Sequence, residues 1–173
     1  MIALLPPSSA GDKVLIAQLT VLVNRAYELA EEGLWLSGVA RTTEAETAES
    51  IADGQVAVAR EDGRLVGSVR FRKRDATMAW FGVLAVDSAY GGQGVGAELV
   101  SFVESAVAAS GARVMELELL VPNTPHPHTA RLAAWYRRLG YVEAERRDLA
   151  VVEPTAVRFL AVDCEVSVMQ KAL

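Results

Sequence analysis

The sequence contains a single cysteine, Cys164, and only two histidines among its 173 residues. One cysteine excludes an internal disulfide, and such cysteine usage is typical of a reducing compartment. Carboxylates apart, the chain also lacks the three or four ligands that a zinc site requires. We therefore expect a cytoplasmic protein without a metal centre.

Long apolar runs and an excess of positive charge are also missing. No apolar stretch approaches the ~20 residues that cross a membrane, and the first seven residues do not resemble a signal peptide. Lys and Arg number 17 against 22 Asp and Glu, which gives a net charge of −5. A mildly acidic chain is a poor candidate for nucleic-acid binding. We expect neither a membrane nor a nucleic acid among its partners.

The spacing of apolar residues predicts helices at about 12–32 and 44–53, a third from the glycine-rich stretch to Gly111, and a fourth ending at Gly140. Strands are expected at 2–5, 55–60, 64–73, 77–86, 113–121, 142–152 and 157–168, with loops at 34–43 and 122–129. Asp62-Gly63 predicts a tight hairpin, because both residues tolerate positive φ. This order predicts one α/β (α+β) domain over 1–173, with a mixed sheet and helices on its faces.

The most distinctive stretch is a glycine-rich turn, Gly91-Gly92-Gln93-Gly94-Val95-Gly96-Ala97, between an apolar strand and a helix. A ligand can approach glycine backbone closely, and the first N–H groups of a helix lack partners and carry partial positive charge. Such a turn binds phosphate or diphosphate. The Lys and Ser or Thr that end a P-loop are absent. The turn does match G-x-G-x-x-A, but the repeated βαβ units of a dinucleotide fold are missing.

Two motifs in order resemble the GNAT superfamily of N-acetyltransferases. The strand Leu84-Ala85-Val86 and the glycine turn resemble its acetyl-CoA motif, and Trp135-Tyr136 followed by Leu139-Gly140-Tyr141 resembles its later signature. The resemblance implies a mostly antiparallel sheet of about seven strands with helices on both faces. It also implies acetyl transfer from acetyl-CoA to a primary amine in a ternary complex. In one departure, Gly91 stands where the family has Gln or Arg, so one side-chain contact with the cofactor is lost.

The resemblance assigns roles to residues of these motifs. Backbone groups of the strand are expected to bind the pantetheine arm and thioester, and those of the turn the diphosphate. The cofactor-binding residues are then Leu84, Ala85, Val86, Gly91, Gly92, Gln93, Gly94, Val95, Gly96 and Ala97. Tyr136 occupies the position of the general acid for the departing thiolate, although it also lies on an apolar helical face.

The general base is harder to assign. Glu116 and Glu118 point to one face of a predicted central strand, where burial would raise a carboxylate pKa and suit it to base work. Glu118 is the candidate, since it lies nearer the end of the strand. The alternatives are an ion pair with Arg113 or another basic residue, and an ordered water that carries the proton.

The acceptor site is expected near the end of the first helix. In this family that region walls the acceptor pocket, and here it carries Glu28 and Trp35, with Tyr27, Glu31 and Glu32 around them. An acidic cluster attracts a cationic amine, although a solvated helix face is an alternative. His128 is a further substrate-binding candidate, whereas surface exposure or helix capping would equally explain the two histidines. The acceptor is either a small-molecule amine or a protein N-terminus, and the final strand is a candidate for pairing across a homodimer.

Two other functions remain open from the sequence. A non-catalytic acetyl-CoA-binding or sensor module would keep the glycine turn without the chemistry, and Gly91 and the absence of an obvious base favour it. A dinucleotide-binding oxidoreductase would use the G-x-G-x-x-A match, with Glu116 as the ribose-binding acid. Titration with CoA, acetyl-CoA and NAD distinguishes the second of these from the other functions.

Overall fold

One sheet of seven strands forms the centre of the protein. The computed structural model describes residues 1–173 and contains the strands β1 (Ile2–Leu4), β2 (Val56–Glu61), β3 (Arg64–Lys73), β4 (Met78–Val86), β5 (Val114–Pro122), β6 (Val142–Asp148) and β7 (Cys164–Ala172). Their spatial order is β1-β2-β3-β4-β5-β7-β6. The β4–β5 pair is parallel and the other five pairs are antiparallel. The predicted mixed, mostly antiparallel sheet is thereby confirmed.

Five helices connect and cover the strands: α1 (Lys13–Ala30), α2 (Glu44–Ala52), α3 (Val95–Ala109), α4 (Pro127–Arg138) and α5 (Leu149–Val152). At the start of most of these helices, a side chain accepts a hydrogen bond from the backbone. Asp12 accepts a hydrogen bond from Leu15 N at 3.0 Å at the start of α1, and Thr43 forms a capping box with Glu46 at the start of α2. These interactions satisfy N–H groups that have no partner inside the helix.

The alternation of side chains along the strands builds a core on each face of the sheet. On β2, Ala57 and Ala59 face the larger cluster under α3, whereas Val56 and Val58 face a smaller cluster under α1 and α2. Helices therefore lie on both faces, as expected. Asp62 and Gly63 both have positive φ, which confirms the predicted hairpin between β2 and β3.

The prediction was wrong for the end of the chain. Residues 149–152, expected as strand, form α5, and Val157–Phe159 form a 3₁₀ turn. The last strand begins only at Cys164 and continues to Ala172. Asp148 explains the first difference, because its side chain accepts from Ala150 N at 2.8 Å and starts a helical turn despite the two valines that follow.

His128 and Thr129, expected in a loop, lie in the first turn of α4, which Pro127 begins.

The sheet separates between β4 and β5, and this gap positions the site. The two strands pair only where Met78–Trp80 meet Val114–Glu116, although both continue for six further residues. The β3–β4 register also shifts between Ser68 and Arg70, where β4 has a bulge containing Val83 at φ +50°. Positive φ is an outlier for a β-branched residue, and such strain concentrates at functional sites.

Candidate active site

The glycine turn presents a row of unpaired backbone N–H groups. Helix α3 begins at Gly94, which has φ +90° and no side-chain cap. Gly91 N–H and Gln93 N–H bond to carbonyls within the turn. The N–H groups that remain without an acceptor are those of Gly92, Gly94, Val95, Gly96 and Ala97. They combine with the positive end of the helix dipole, so the turn can bind an anion.

These five residues line one cleft of about 670 Å³. The cleft continues from the turn along the separated edge of β4, past Leu84 and Val86, to Tyr136 on α4. Because β4 has no partner on this side after Trp80, its backbone groups are free to bind a ligand. The turn and the strand edge thus form a continuous polar wall within a largely apolar cleft.

Two of the expected cofactor residues, Ala85 and Gln93, do not line the cleft, whereas Gly91 does. Ala85 is buried, 2% exposed, and does not line the cleft. The Gln93 side chain donates to Ala89 O at 3.0 Å, so the structure does not present it as a substitute for the missing family side chain. Gly91 has φ −59°, which any residue adopts, so its backbone conformation does not require glycine.

Tyr136 lies at the inner end of the cleft. It is 6% exposed and packs against Phe81, Trp135 and Tyr141, with ring centroids 6.0, 4.8 and 6.0 Å away. Its hydroxyl makes no hydrogen bond within the protein, yet it is not sealed from the cleft. Burial raises the pKa of Tyr136 well above its usual range, with a smaller effect from Tyr27. The phenol is therefore protonated at neutral pH.

Glu116 and Glu118 share one basic partner. Arg74, at the end of the β3–β4 hairpin, lies 3.0 Å from Glu116 Oε1 and 2.8 Å from Glu118 Oε1. The first contact is ionic rather than a hydrogen bond, because no N–H points at that oxygen. Glu116 Oε2 accepts from Gln170 at 2.8 Å. The ion-pair alternative thus holds with Arg74 in place of Arg113, and the assignment of Glu118 as base stays a prediction.

A second cavity, also of about 670 Å³, adjoins the first at the end of α1. The two share a wall formed by Tyr27, Glu31, Trp35, Arg41 and Glu153. Trp35 Nε1 donates to Glu31 Oε2 at 2.5 Å, and the Arg41 guanidinium lies 4.8 Å from the centroid of the Tyr27 ring. Arg41 and Glu153 were not identified from the sequence, because nothing in their local pattern indicates that distant segments meet here.

The segment after α1 is held in place by backbone contacts rather than left as a free loop. Leu36 N donates to Phe159 O at 2.8 Å, and Ala161 N donates to Leu34 O at 2.9 Å. At the other end, the Asn24 side chain bonds to both the N–H and the C=O of Thr42, each at 3.0 Å. These hydrogen bonds hold both ends of the segment that walls the outer cavity.

The remaining sequence candidates lie at different depths. His128 is half-buried and lines the inner cleft, and burial, with Arg131 and His126, lowers its pKa. His126 caps α4, since its Nδ1 accepts from Thr129 N at 3.2 Å. Glu28 is exposed and lines only the outer cavity.

Trp80 also lines the cleft and was missed from the sequence. Its indole lies flat over Gly82, where an added Cβ would come within 2.3 Å of the ring. Its Nε1–H is buried without a partner. The one signal in the sequence was the Trp-x-Gly spacing, which puts both residues on the same face of a strand.

A sequence profile of the acetyltransferase (GNAT) domain matches residues 52–143, just over half of the chain. The chain belongs to the GNAT acetyltransferase family. Its match covers the separated strands, the glycine turn and Tyr136, but neither α1 nor any residue of the outer cavity. A search of curated proteins gave no sequence match.

Solved structures with the same fold include two acetyltransferases of different kinds. An aminoglycoside 6′-N-acetyltransferase complexed with coenzyme A has a TM-score of 0.71 and 19% identity over 99% of this chain and 96% of that one. A ribosomal-protein-alanine N-acetyltransferase from Brucella melitensis has a TM-score of 0.66 and 17% identity over 100% and 99%. At these identities the likeness establishes the fold alone.

Two searches for other kinds of site gave negative results. No helix is long and apolar enough to span a membrane. No three His, Cys, Asp or Glu side chains come together as a potential metal site.

Proposed function

We propose that this protein is an N-acetyltransferase that transfers the acetyl group of acetyl-CoA to a primary amine. The observation that carries the proposal is the row of five unpaired N–H groups, from Gly92 to Ala97, that lines the same cleft as Tyr136. Those amides suit a diphosphate, and the cleft fits it, because nothing lies within 4 Å of a Cβ built at Gly92 or Gly94. The free edge of β4 would hold the pantetheine arm.

The residues that line the cleft support direct attack by the amine. The bulge at Val83 lies on the strand edge that lines the cleft, where the thioester would bind. A backbone N–H freed there would stabilise the negative charge that develops during acyl transfer. Tyr136, which lines the same cleft, would give its proton to the departing sulfur. No cysteine or serine nucleophile is needed in this scheme, and Cys164 is buried with its pKa raised to about 11.

The charge of the outer cavity supports a cationic acceptor. Five of its lining residues are acidic (Glu28, Glu31, Glu32, Glu46 and Glu153) and two are basic (Arg41 and Arg158), for a net charge of −3. A protonated amine is attracted to such a surface and a carboxylate is repelled. Small amines and protein N-termini both fit this description, and the two similar structures are named for an aminoglycoside and for an alanine of a ribosomal protein.

An acetyl-CoA-dependent thiol-release assay across a panel of amines tests the proposal. The panel contains an aminoglycoside, a linear polyamine and a peptide with a free N-terminus, and product mass identifies the acetylated amine. Turnover with one class supports the proposal. Tight calorimetric binding of acetyl-CoA without turnover on any amine would instead indicate a binding module, and no binding would overturn both functions.

A further inference from the structure

We propose that Glu31 takes the proton from the acceptor amine, and that Glu118 serves as the partner of Arg74. This inference rests on the proposed acetyltransferase function. It names a catalytic base that neither the family motifs nor the sequence pattern indicates, because Glu31 lies outside the region that the GNAT profile matches.

Glu118 lines the inner cleft, but its carboxylate is already engaged in an ion pair. Its carboxylate is held at 2.8 Å by Arg74, which also neutralises Glu116 two residues away. To reach an amine in the cleft, the Glu118 carboxylate would have to leave Arg74, which also holds the buried Glu116.

Glu31 lies in the wall that the two cavities share, one helical turn beyond Tyr27, which also lines both. An amine that moves from the outer cavity toward the β4 edge at Leu84 would pass this wall. Trp35 Nε1 fixes the orientation of its carboxylate through Oε2. Oε1 makes no hydrogen bond and remains accessible from the cleft. One oxygen is thus anchored and the other is free to receive an ammonium.

Charged groups on several elements face this carboxylate. Arg41 and His126 favour the ionised form of Glu31. The negative charge of Glu31 in turn adds to the effect of burial in raising the pKa of Tyr27 on α1 and of Cys164 on β7. Glu153 on α5 acts on Arg41 and so offsets part of its effect. Burial outweighs the cations and raises the pKa of Glu31 above its ordinary value of 4.5. A raised pKa of Glu31 lies closer to the pKa of an alkyl ammonium. The transfer of a proton from the ammonium to Glu31 then costs less free energy.

The step balances as follows. Glu31 takes one proton from the ammonium and releases it to solvent through the outer cavity. The freed nitrogen pair forms the C–N bond with the acetyl carbon, and the C–S bond then breaks. Tyr136 gives its proton to the sulfur, and the second proton of the nitrogen returns to the Tyr136 oxygen. The products are the acetamide, coenzyme A as the thiol, and one proton.

The test compares pH profiles of kcat/KM for wild type, Glu31→Gln, Glu31→Asp and Glu118→Gln. With a working base, the profile is flat between the pKa of Glu31 and that of the amine. Without one, only the free amine reacts, so kcat/KM rises tenfold per pH unit up to the amine pKa, about 10. We expect Glu31→Gln to lose the flat region and at least 100-fold in rate at neutral pH, which is the lower end of general-base effects.

Two further variants complete the test. Glu31→Asp keeps a carboxylate and should retain a flat region at reduced rate, which a merely structural role would not predict. Glu49→Gln removes one negative charge at an exposed residue of α2 that lines neither cavity, and should match wild type. Calorimetry with acetyl-CoA should give the same affinity for all variants.

The outcomes separate this inference from the proposed function. Wild-type turnover with an unchanged profile in Glu31→Gln overturns the role of Glu31 and leaves the acetyltransferase intact. Loss of the flat region in Glu118→Gln but not in Glu31→Gln assigns the base to Glu118. A wild type inactive on every amine overturns the function and the base together.

Discussion

The strongest prediction concerns the backbone conformation at Gly94. This residue has φ +90°, and a Cβ added there meets nothing within 4 Å. Alanine at this position therefore suffers from the backbone strain alone, about 1–2 kcal/mol for an L-residue in the left-handed region. For a chain of this length, 1 kcal/mol lowers the melting temperature by about 2–4 °C. We expect Gly94→Ala to melt about 2–8 °C below wild type.

The effect on coenzyme A binding should be larger than the effect on stability. Relief of the strain rotates the peptide units on either side of residue 94, and these units aim the N–H groups of Gly94 and Val95. Hydrogen bonds to a charged acceptor contribute about 1.5–3 kcal/mol each. Loss of one such bond to a diphosphate weakens binding by roughly 10- to 150-fold, at 1.36 kcal/mol per decade.

Calorimetric titration measures this effect with two ligands and a matched variant. Gly91→Ala is the control, because Gly91 has an ordinary φ of −59° and its added Cβ would meet only Ser88 O, at 3.2 Å. Acetyl-pantetheine, which lacks the diphosphate, is the second ligand. A coenzyme A affinity for Gly94→Ala within threefold of wild type would refute the assignment of the turn. An equal loss for Gly91→Ala or with acetyl-pantetheine would refute it as well.

Three further variants test other parts of the site. Tyr136→Phe should lower kcat by roughly 10²- to 10⁴-fold with unchanged acetyl-CoA affinity and melting temperature, because its hydroxyl bonds to no protein group; a wild-type rate would remove it from the mechanism. Gly91→Arg, which restores the family residue type, should tighten coenzyme A binding by about fivefold in low salt, and an effect that persists in 1 M salt would contradict its electrostatic origin. Arg74→Met should destabilise the protein by about 3–5 kcal/mol, because it leaves Glu116 buried without its cation. Chemical denaturation measures this loss, and a cost under 1 kcal/mol would show that Gln170 is a sufficient partner.

The parts of the fold that could be predicted from the sequence are those that depend on short local sequence patterns. The Asp62-Gly63 hairpin depends on two residues that tolerate positive φ, and the start of α3 depends on a glycine turn. Both are contained in fewer than ten residues and need no tertiary information. The C-terminal error has the same origin, since Asp148 is a local capping signal that competes with the strand preference of the valines after it.

The parts of the site that the sequence did not predict depend on contacts between distant segments. Arg74 reaches Glu118 across 44 positions, and Arg41 is placed by Asn24 through a side chain that bonds to the backbone of Thr42. Glu31 was identified only as one member of an acidic cluster. The sequence does not show that Glu31 lines both cavities, whereas Glu28 and Glu32 line only the outer one. Periodicity reports the face of a helix but not what lies opposite that face.

Three departures from ordinary packing occur within the same cleft. Val83 has a positive φ, Trp80 Nε1–H is buried without a partner, and five amides of the glycine turn have no acceptor. The strained backbone at Val83 and the buried, unsatisfied donor of Trp80 each cost about 1–3 kcal/mol. A sheet that simply continued its β4–β5 pairing beyond Trp80 would avoid part of this cost. Because such violations persist where a ligand supplies the missing partners, their convergence on one wall is the physical reason to place the cofactor there.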